Sequence, residues 1–260
     1  MDLTPRLLKI AEEIRPGERV GDIGTDHGYL PIYLVKNRIV KEVVATDINQ
    51  EPLNAAYGNI KGYGLENQIQ TKLGAGTLPL EREDLDVFIV AGMGGKLIIE
   101  ILKNSVSLKR TVNRIILQPM QQQKELRRYL SEEGYIIKKD LLVQEDRRIY
   151  EMLVVSFNDS AGKGFGTQKN SSFEGGVSEE IANRHPVGFK KYYDLRWELG
   201  FCLFENPRDL ILKFLDQKIN QVDKIIGETA GSKSEEAIMV NQRAKEKSEK
   251  LKEVKKCVVR

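Results

Sequence analysis

Short β-rich runs alternate with helix-patterned segments through the first 157 residues, and this alternation constrains the fold more than any other feature. The first five runs are residues 19–23, 42–46, 69–73, 85–90 and 112–117. Strands separated by helices run parallel, with helices on both faces of the sheet. Two further runs, 135–143 and 149–157, are joined only by a short charged turn, which is typical of an antiparallel hairpin. The sequence therefore predicts an α/β fold with a mostly parallel seven-stranded sheet and an antiparallel edge hairpin.

The last third of the chain has a different character. Residues 158–176 are rich in Gly, Ser, Lys and Asn, which predicts a linker between a domain of residues 1–157 and a domain of residues 177–260. Within the second domain, two stripes of spacing 3 and 4 predict a helical hairpin or coiled coil. The first stripe is Leu212, Leu215, Ile219, Val222 and Ile226, and the second runs from Ala237 to Val258. The short loop between them favours pairing within one chain, and hence a monomer, although a dimer through this element stays open.

Composition narrows the class of protein. Cys202 and Cys257 lie far apart without a CxxC pair, and only two histidines are present, so we expect neither a disulfide framework nor a metal site. No apolar run approaches the roughly 20 residues that a membrane helix needs. The start of the chain carries no signal pattern, so we expect a cytoplasmic protein with no membrane partner. The net charge of +3 says little about partners.

The segment 20–31 joins the first predicted strand to the next helix. Its glycines, Gly24 among them, do not form the GxGxxG pattern, and Asp22 and Asp26 are unsuited to a pyrophosphate. Carboxylates at a strand end can instead receive the cationic amino group of a methionine moiety, which favours S-adenosylmethionine. An ordinary turn, with Asp26 capping the helix, is the alternative.

Two further strand ends carry residues suited to a nucleoside. Asp47 lies roughly 20 residues beyond the glycine turn, where a carboxylate can hold both ribose hydroxyls. Gly74, Ala75 and Gly76 follow the third strand, and such small residues let the backbone lie against an adenine ring. A capping aspartate and a plain turn are the respective alternatives.

Small residues follow the fourth predicted strand as Ala91, Gly92, Met93, Gly94 and Gly95. They would open a pocket beside a reactive methyl group, and a glycine-rich turn without chemistry is the alternative. The Asn/Asp-Pro-Pro-aromatic pattern expected for an exocyclic nitrogen is missing here, whereas a ring nitrogen with a free lone pair needs mainly approach and alignment. After the fifth strand, Gln118 could hydrogen-bond a base edge, or Gln118 and Pro119 could simply mark the start of a helix.

His27 is the only histidine near these motifs. It is a candidate general base, and a surface position at a helix start is the simpler alternative. If the target is a ring nitrogen, no base is required.

Together these residues give the chain a resemblance to a known family. Residues 22–31, 91–95 and 117–119, with Arg6 and residues 150–155, resemble the bacterial tRNA adenine-N1 methyltransferases that act on adenine 22. The resemblance covers residues 3–157, and the helical remainder is similar in kind to the family's C-terminal coiled-coil domain. It implies a Rossmann-like methyltransferase domain, S-adenosylmethionine as methyl donor and tRNA as partner. A methyltransferase acting on a small molecule, another RNA or a protein is the alternative.

The resulting site prediction has two parts. The predicted cofactor-binding residues are Asp22, Gly24, Thr25, Asp26, His27, Asp47, Ile48, Gly74, Ala75, Gly76, Ala91, Gly92 and Met93. The predicted catalytic residues are His27, Met93, Gly94, Gln118 and Pro119. Ala75 stands where a polar Asp or Asn is expected to receive the adenine amino group, which predicts either weaker cofactor affinity or a backbone substitute.

Overall fold

A computed structural model describes residues 2–157 and 194–259 of the chain. The chain divides into two compact units, Met1–Glu179 and Glu180–Arg260. The predicted linker of residues 158–176 lies outside the described residues, and the predicted start of the second domain at residue 177 does as well.

The first unit contains the α/β fold. Its strands are β1 (Val20–Ile23), β2 (Val43–Asp47), β3 (Ile69–Leu73), β4 (Val87–Gly94), β5 (Arg114–Gln121), β6 (Tyr135–Glu145) and β7 (Arg148–Phe157). Its helices are α1 (Pro5–Glu12), α2 (Tyr29–Lys36), α3 (Gln50–Gly62), α4 (Gly95–Asn104), α5 (Leu108–Thr111) and α6 (Gln123–Glu132). The one-turn helix α5 and a 3₁₀ turn at Leu78–Leu80 were not predicted from the sequence, because elements this short carry too little periodicity.

The seven strands form one sheet in the order β3-β2-β1-β4-β5-β7-β6. Strands β1 to β5 pair in parallel, and β7 pairs antiparallel with both β5 and β6. The predicted sheet and its edge hairpin are therefore confirmed. Chain order reverses direction across the sheet at β1, between β2 and β4, and ligands of open α/β sheets bind at the carboxyl ends of strands beside such a reversal.

Burial explains why the central strands are so apolar. Every residue of β1 is buried, and β4 is buried from Val87 through Val90, because helices cover both faces. Helix α1 begins where expected: Thr4 is its N-cap, with Oγ1 accepting from the Leu7 amide at 3.5 Å, and Pro5 occupies the first turn. Ile10 and Ala11 of this helix join the core, which brings the start of the chain close to the sheet.

Strands β4 and β5 run further than the sequence predicts. The predicted turn after residue 90 is part of β4, since Met93 pairs with Pro119 and Gly94 with Gln121 across bulges. Gly92 adopts a positive φ of 75° at this irregularity, a conformation that glycine accommodates without strain. Gln118 and Pro119 therefore lie inside β5 and not in a turn after it, because β4 and β5 remain paired along this stretch.

The second unit is a helical hairpin with a short helix before it. Its helices are α7 (Arg196–Leu199), α8 (Arg208–Thr229) and α9 (Glu235–Val259). Ser248 Oγ donates to Asp223 at 2.6 Å, and Asn241 Nδ2 donates to the Ile226 carbonyl at 2.8 Å. Later residues of α9 therefore contact earlier residues of α8, so the two helices run antiparallel. This antiparallel pairing confirms the predicted helical hairpin. No helix within the described ranges combines the length and hydropathy that a membrane-spanning segment needs.

Candidate functional site

Two adjoining cavities open at the carboxyl ends of β1, β2 and β4. They have volumes of about 460 and 470 Å³ and share Gly24, Asp47 and Met93 as lining residues. The first cavity is also lined by Ile23, Thr46, Ile48, Gly74, Ala75, Gly76, Leu78, Leu97, Glu100, Ile101 and Asn104. The second is also lined by Thr4, Arg6, Leu7, Asp22, Asp26, Tyr29, Leu30, Ala91, Gly92 and Met120.

Asp22 and Asp47 face the same cleft. Both line the second cavity, and Asp47 reaches the first cavity as well. Parallel pairing of β1 with β2 places the ends of the two strands side by side. The Asp47 carboxylate is oriented by the Asn49 amide, which donates to its Oδ1 at 2.7 Å. The structure therefore brings together the two carboxylates on which the predicted nucleoside site depends.

Burial changes the acidity of Asp22. The residue is only 7% exposed, and this desolvation raises the pKa of its carboxyl group from 3.8 to about 6. The Thr25 hydroxyl opposes the rise, and the nearby negative charge of Asp47 adds to it. At neutral pH the group is still ionised, so the cleft contains a desolvated negative charge. In the part of the chain that the structure describes, no cluster of three His, Cys, Asp or Glu side chains is suited to a metal ion.

Gly24 and Met93 meet at the boundary between the cavities. Gly24 has a φ of 76°, and a Cβ atom built on it would lie 2.0 Å from Met93 Cε. A side chain at this position would therefore be strained and would collide with the methionine. The lack of a side chain lets Met93 pack against the backbone between the two cavities.

Gln118 connects three elements beneath the second cavity. Its Oε1 accepts from Arg6 Nη1 at 2.9 Å and from the Gly92 amide at 3.0 Å. The residue is 1% exposed and lines neither cavity. Both acceptor positions of the amide oxygen are thus occupied within the protein, and Gln118 fixes the position of Gly92 and Arg6. The sequence analysis proposed that Gln118 hydrogen-bonds a base edge. The structure places Gln118 inside β5, where its amide oxygen is bonded within the protein.

Four other predicted residues also lie outside the cavity linings. Thr25 and Pro119 are buried, and Gly94 lies against the side chains of Gln121 and Gln122. His27 has a φ of 56° and is half exposed, with its ring stacked on Tyr29 at 5.3 Å between centroids. The left-handed turn at residues 27–28 holds this imidazole beside the second cavity and not within it.

Several lining residues were missed by the sequence analysis. On α4, residues 97, 100, 101 and 104 share one helical face that borders the first cavity. Their spacing of 3, 1 and 3 is a signal that the sequence contains, although it does not say which face meets a ligand. Arg6, Tyr29 and Met120 border the second cavity. Arg6 is 112 residues from its partner Gln118, so no local pattern indicates that they meet.

Comparisons with known proteins agree with this geometry. A family model described as a methyltransferase domain matches residues 3–153. The tRNA (adenine(22)-N(1))-methyltransferase of Bacillus subtilis strain 168 is 33% identical over 159 residues, which cover 61% of this chain and 67% of that protein. A "Putative tRNA methyltransferase" of Mycoplasma pneumoniae is 37% identical over 134 residues, covering 52% of this chain and 61% of its own length.

Solved structures match over almost the whole length. The crystal structure of the B. subtilis m1A22 tRNA methyltransferase TrmK has a TM-score of 0.75 at 26% identity, with 97% of this chain and 98% of that chain covered. The structure of M. capricolum TrmK in complex with S-adenosyl-homocysteine has a TM-score of 0.72 at 25% identity, with 99% of each chain covered. Fold and cleft define a Rossmann-like methyltransferase. The chain belongs to the methyltransferase family that includes the B. subtilis tRNA (adenine(22)-N(1))-methyltransferase.

Replacing the buried carboxylate should stabilise the protein. Because the pKa of Asp22 is about 6 in the folded chain against an ordinary 3.8, folding opposes its ionisation. Stability is therefore lost as pH rises from about 4 to about 6, by up to about 3 kcal/mol above pH 7. Asp22→Asn removes this cost, so urea unfolding should show a gain that is larger at about pH 8 than at about pH 5.

The exposed Asp26 provides the control for this experiment. Asp26→Asn removes the same charge from a side chain that is 84% exposed, so its stability should change little at either pH. An Asp22→Asn protein that is no more stable than the wild type at the higher pH would contradict the burial argument.

Proposed function

We propose that this protein transfers a methyl group from S-adenosylmethionine to N1 of adenine 22 in tRNA. The observation that carries the proposal is the meeting of Asp22 and Asp47 on one double cavity at neighbouring strand ends. The family to which the chain belongs supports the same reaction. A tRNA substrate also implies that the protein acts in the cytoplasm.

The cleft fits S-adenosylmethionine by its chemistry. The desolvated carboxylate of Asp22 suits the ammonium group of the methionine moiety, because a buried negative charge gains from a cation. Asp47 is placed to accept hydrogen bonds from the ribose hydroxyls. In the first cavity the exposed side chains of Ile48, Leu78 and Leu97 offer apolar surface to an adenine ring. When bound, the cofactor supplies an electrophilic methyl group on a sulfonium.

The first cavity contains Ala75, the position at which a polar Asp or Asn was expected. This alanine lines the cavity without offering a polar side-chain atom, whereas Glu100 and Asn104 on α4 line the same cavity. We infer that these two side chains supply the polar groups for the adenine amino group that the loop at residue 75 lacks.

The second cavity suits the adenine to be methylated. Tyr29 and Met120 are partly exposed at its wall and provide an aromatic ring and a thioether against which a base can stack. An adenine within a folded RNA must be swung out of its stack to reach such a cavity. Gly92 and Met93 line this cavity, and Met93 also lines the first cavity, so the base would lie next to the cofactor.

The reaction at N1 requires no general base. The ring nitrogen attacks with a free lone pair and carries no proton to lose, so the positive charge passes from sulfur to the base. Asp22, Asp26 and Asp47 line the cavity in which this charge arises, and their carboxylates favour it. The position of His27 outside the cavity lining is consistent with a reaction that uses no base.

Methylation of tRNA is the direct test of the proposal. Incubation of the protein with labelled S-adenosylmethionine and an unmodified tRNA transcript should give 1-methyladenosine, located at position 22 by mass spectrometry of fragments. A transcript with guanine at position 22 is the matched control and should remain unlabelled. Equal labelling of both transcripts, or label only in protein or small molecules, would overturn the assignment.

Loss of the Asp47 carboxylate should weaken cofactor binding. Hydrogen bonds to a charged group are worth roughly 1.5–3 kcal/mol, so Asp47→Ala should raise the Kd for S-adenosyl-homocysteine about 10- to 100-fold in calorimetry. Glu51→Ala is the control, because Glu51 is exposed, lies in the first turn of α3 and borders neither cavity. Equal affinities for the Asp47 variant and the wild type would remove the ribose assignment.

We propose further that the protein is a monomer. Leu251 and Val254 of α9 are fully buried, within a single chain, so the seam of the hairpin needs no second copy. Light scattering should give a mass close to 29.6 kDa. A mass of twice this value, independent of salt, would overturn the monomer proposal.

A further inference from the structure

The turn between β1 and α2 carries two aromatic rings that lie against each other. The imidazole of His27 stacks on the ring of Tyr29, with centroids 5.3 Å apart and planes 21° from parallel. Both rings remain accessible, since the His27 side chain is 49% exposed and Tyr29 is 42% exposed. Tyr29 lines the second cavity, whereas His27 does not. The stacked pair therefore begins at the wall of that cavity and continues onto the surface beside it.

The backbone of this turn is held in a conformation that costs free energy. His27 has a φ of 56° and Gly28 a φ of 68°, and residues with a Cβ atom rarely adopt this left-handed region. The Asn59 side chain donates to the His27 carbonyl at 2.9 Å, and a Cβ atom built on Gly28 would lie 3.4 Å from that of Ala56, so α3 fixes the turn. A glycine at residue 27 would avoid the strain, and the chain therefore carries the imidazole at a cost to its backbone.

The methyl transfer proposed above does not use this imidazole. The ring nitrogen of adenine has no proton to lose, and His27 lies outside both cavity linings. Its Nε2 lies 3.3 Å from Oδ1 of the exposed Asp26, a contact too solvated to hold the ring in place for the sake of the fold. Accessible stacked rings beside a cavity that receives a base are a surface on which another nucleobase can stack, because every base has an aromatic face.

Removal of the target adenine from its stack leaves a neighbouring base without a partner. Unstacking costs free energy, and aromatic rings beside the receiving cavity can offset part of that cost. We propose that the stacked rings of His27 and Tyr29 bind the nucleobase next to the methylated adenine, with the exposed face of His27 as the contact surface. The inference rests on the RNA part of the proposed function. The contact requires no particular base, since stacking tolerates any sequence.

A phosphate group of the RNA is the competing ligand for His27. The Asp26 carboxylate lies within 3.3 Å of the imidazole, and Asp22 and Asp47 line the cavity beside the turn. These carboxylates repel a phosphodiester, whereas they do not oppose a neutral base. The charges around the turn therefore favour a base over a phosphate.

Two substitutions of His27 in the full chain separate its ring from its polar chemistry. His27→Gly removes the ring and relieves the strained backbone, so the variant should fold. Loss of one stacked base predicts that its Kd for an unmodified tRNA transcript rises about 5- to 100-fold in filter binding. His27→Phe keeps a ring that stacks, and its Kd for tRNA should stay within about threefold of the wild type. Both variants should bind S-adenosyl-homocysteine as the wild type does, because His27 lines neither cavity.

A fluorescent base reports the contact directly. The adenine analogue 2-aminopurine, whose emission is quenched by stacking, would replace the base before adenine 22 and, in a separate transcript, the base after it. One of the two probes should be dim in complexes with the wild type and with His27→Phe, and should brighten with His27→Gly. Tyr63→Leu is the control: it removes another exposed ring, which lies 4.7 Å from Lys36 Nζ and borders neither cavity, so neither affinity nor emission should change.

The proposal fails on any of three results. An unchanged Kd for tRNA in His27→Gly, or equal emission of both probes with this variant and the wild type, would remove the stacking contact. Weakening of tRNA binding in His27→Phe as large as in His27→Gly would assign the imidazole to a polar or phosphate contact. Weaker binding of S-adenosyl-homocysteine to His27→Gly, by the same factor as tRNA, would show that residue 27 acts through the cofactor site. Binding is measured without methyl transfer, so a protein that binds tRNA through His27 but does not methylate it would contradict the proposed function alone.

Discussion

Water has little access to the Asp22 carboxylate, because β1 is flanked by β2 and β4 and the sheet is covered on both faces. A desolvated carboxylate costs free energy, and the raised pKa is the measure of that cost. The cleft is arranged around this carboxylate, because Gly24 and the carboxylate of Asp47 line the same cavity. A ligand with an ammonium group recovers the cost, whereas a neutral or anionic ligand does not.

A second buried charge in the same unit differs from Asp22 because it is paired within the protein. Arg127 is fully buried and pairs with the carboxylates of Asp140 and Glu151, each at 2.7 Å. These contacts tie α6 to the edge hairpin and leave no need for a ligand. Asp22, by contrast, has no cationic partner among the described residues. Paired buried charges therefore maintain the fold here, and the buried charge without a cation marks the site.

The link between Arg6, Gln118 and Gly92 shows how parts that are distant in the chain become one wall. A single amide oxygen in β5 accepts from α1 and from the irregular end of β4. The bulges in β4 and the positive φ of Gly92 are possible because β5 continues alongside and supplies partners. Of the residues that the sequence predicted for the cleft in this region, Gly92 and Met93 line the second cavity, whereas Gln118 lies behind its wall.

The order of strands and helices, the edge hairpin and the helical hairpin were determined by the sequence, because periods of 2 and 3.6 residues reflect which side chains are buried. Asp22, Gly24, Asp47 and Gly76 could also be placed at strand ends, since parallel strands end at one edge of the sheet. Only the tertiary structure decided that His27 stands beside the cavity, that α4 contributes a wall and that Arg6 joins the site. These features depend on helix orientation and on contacts across more than 100 residues, which local spacing does not record.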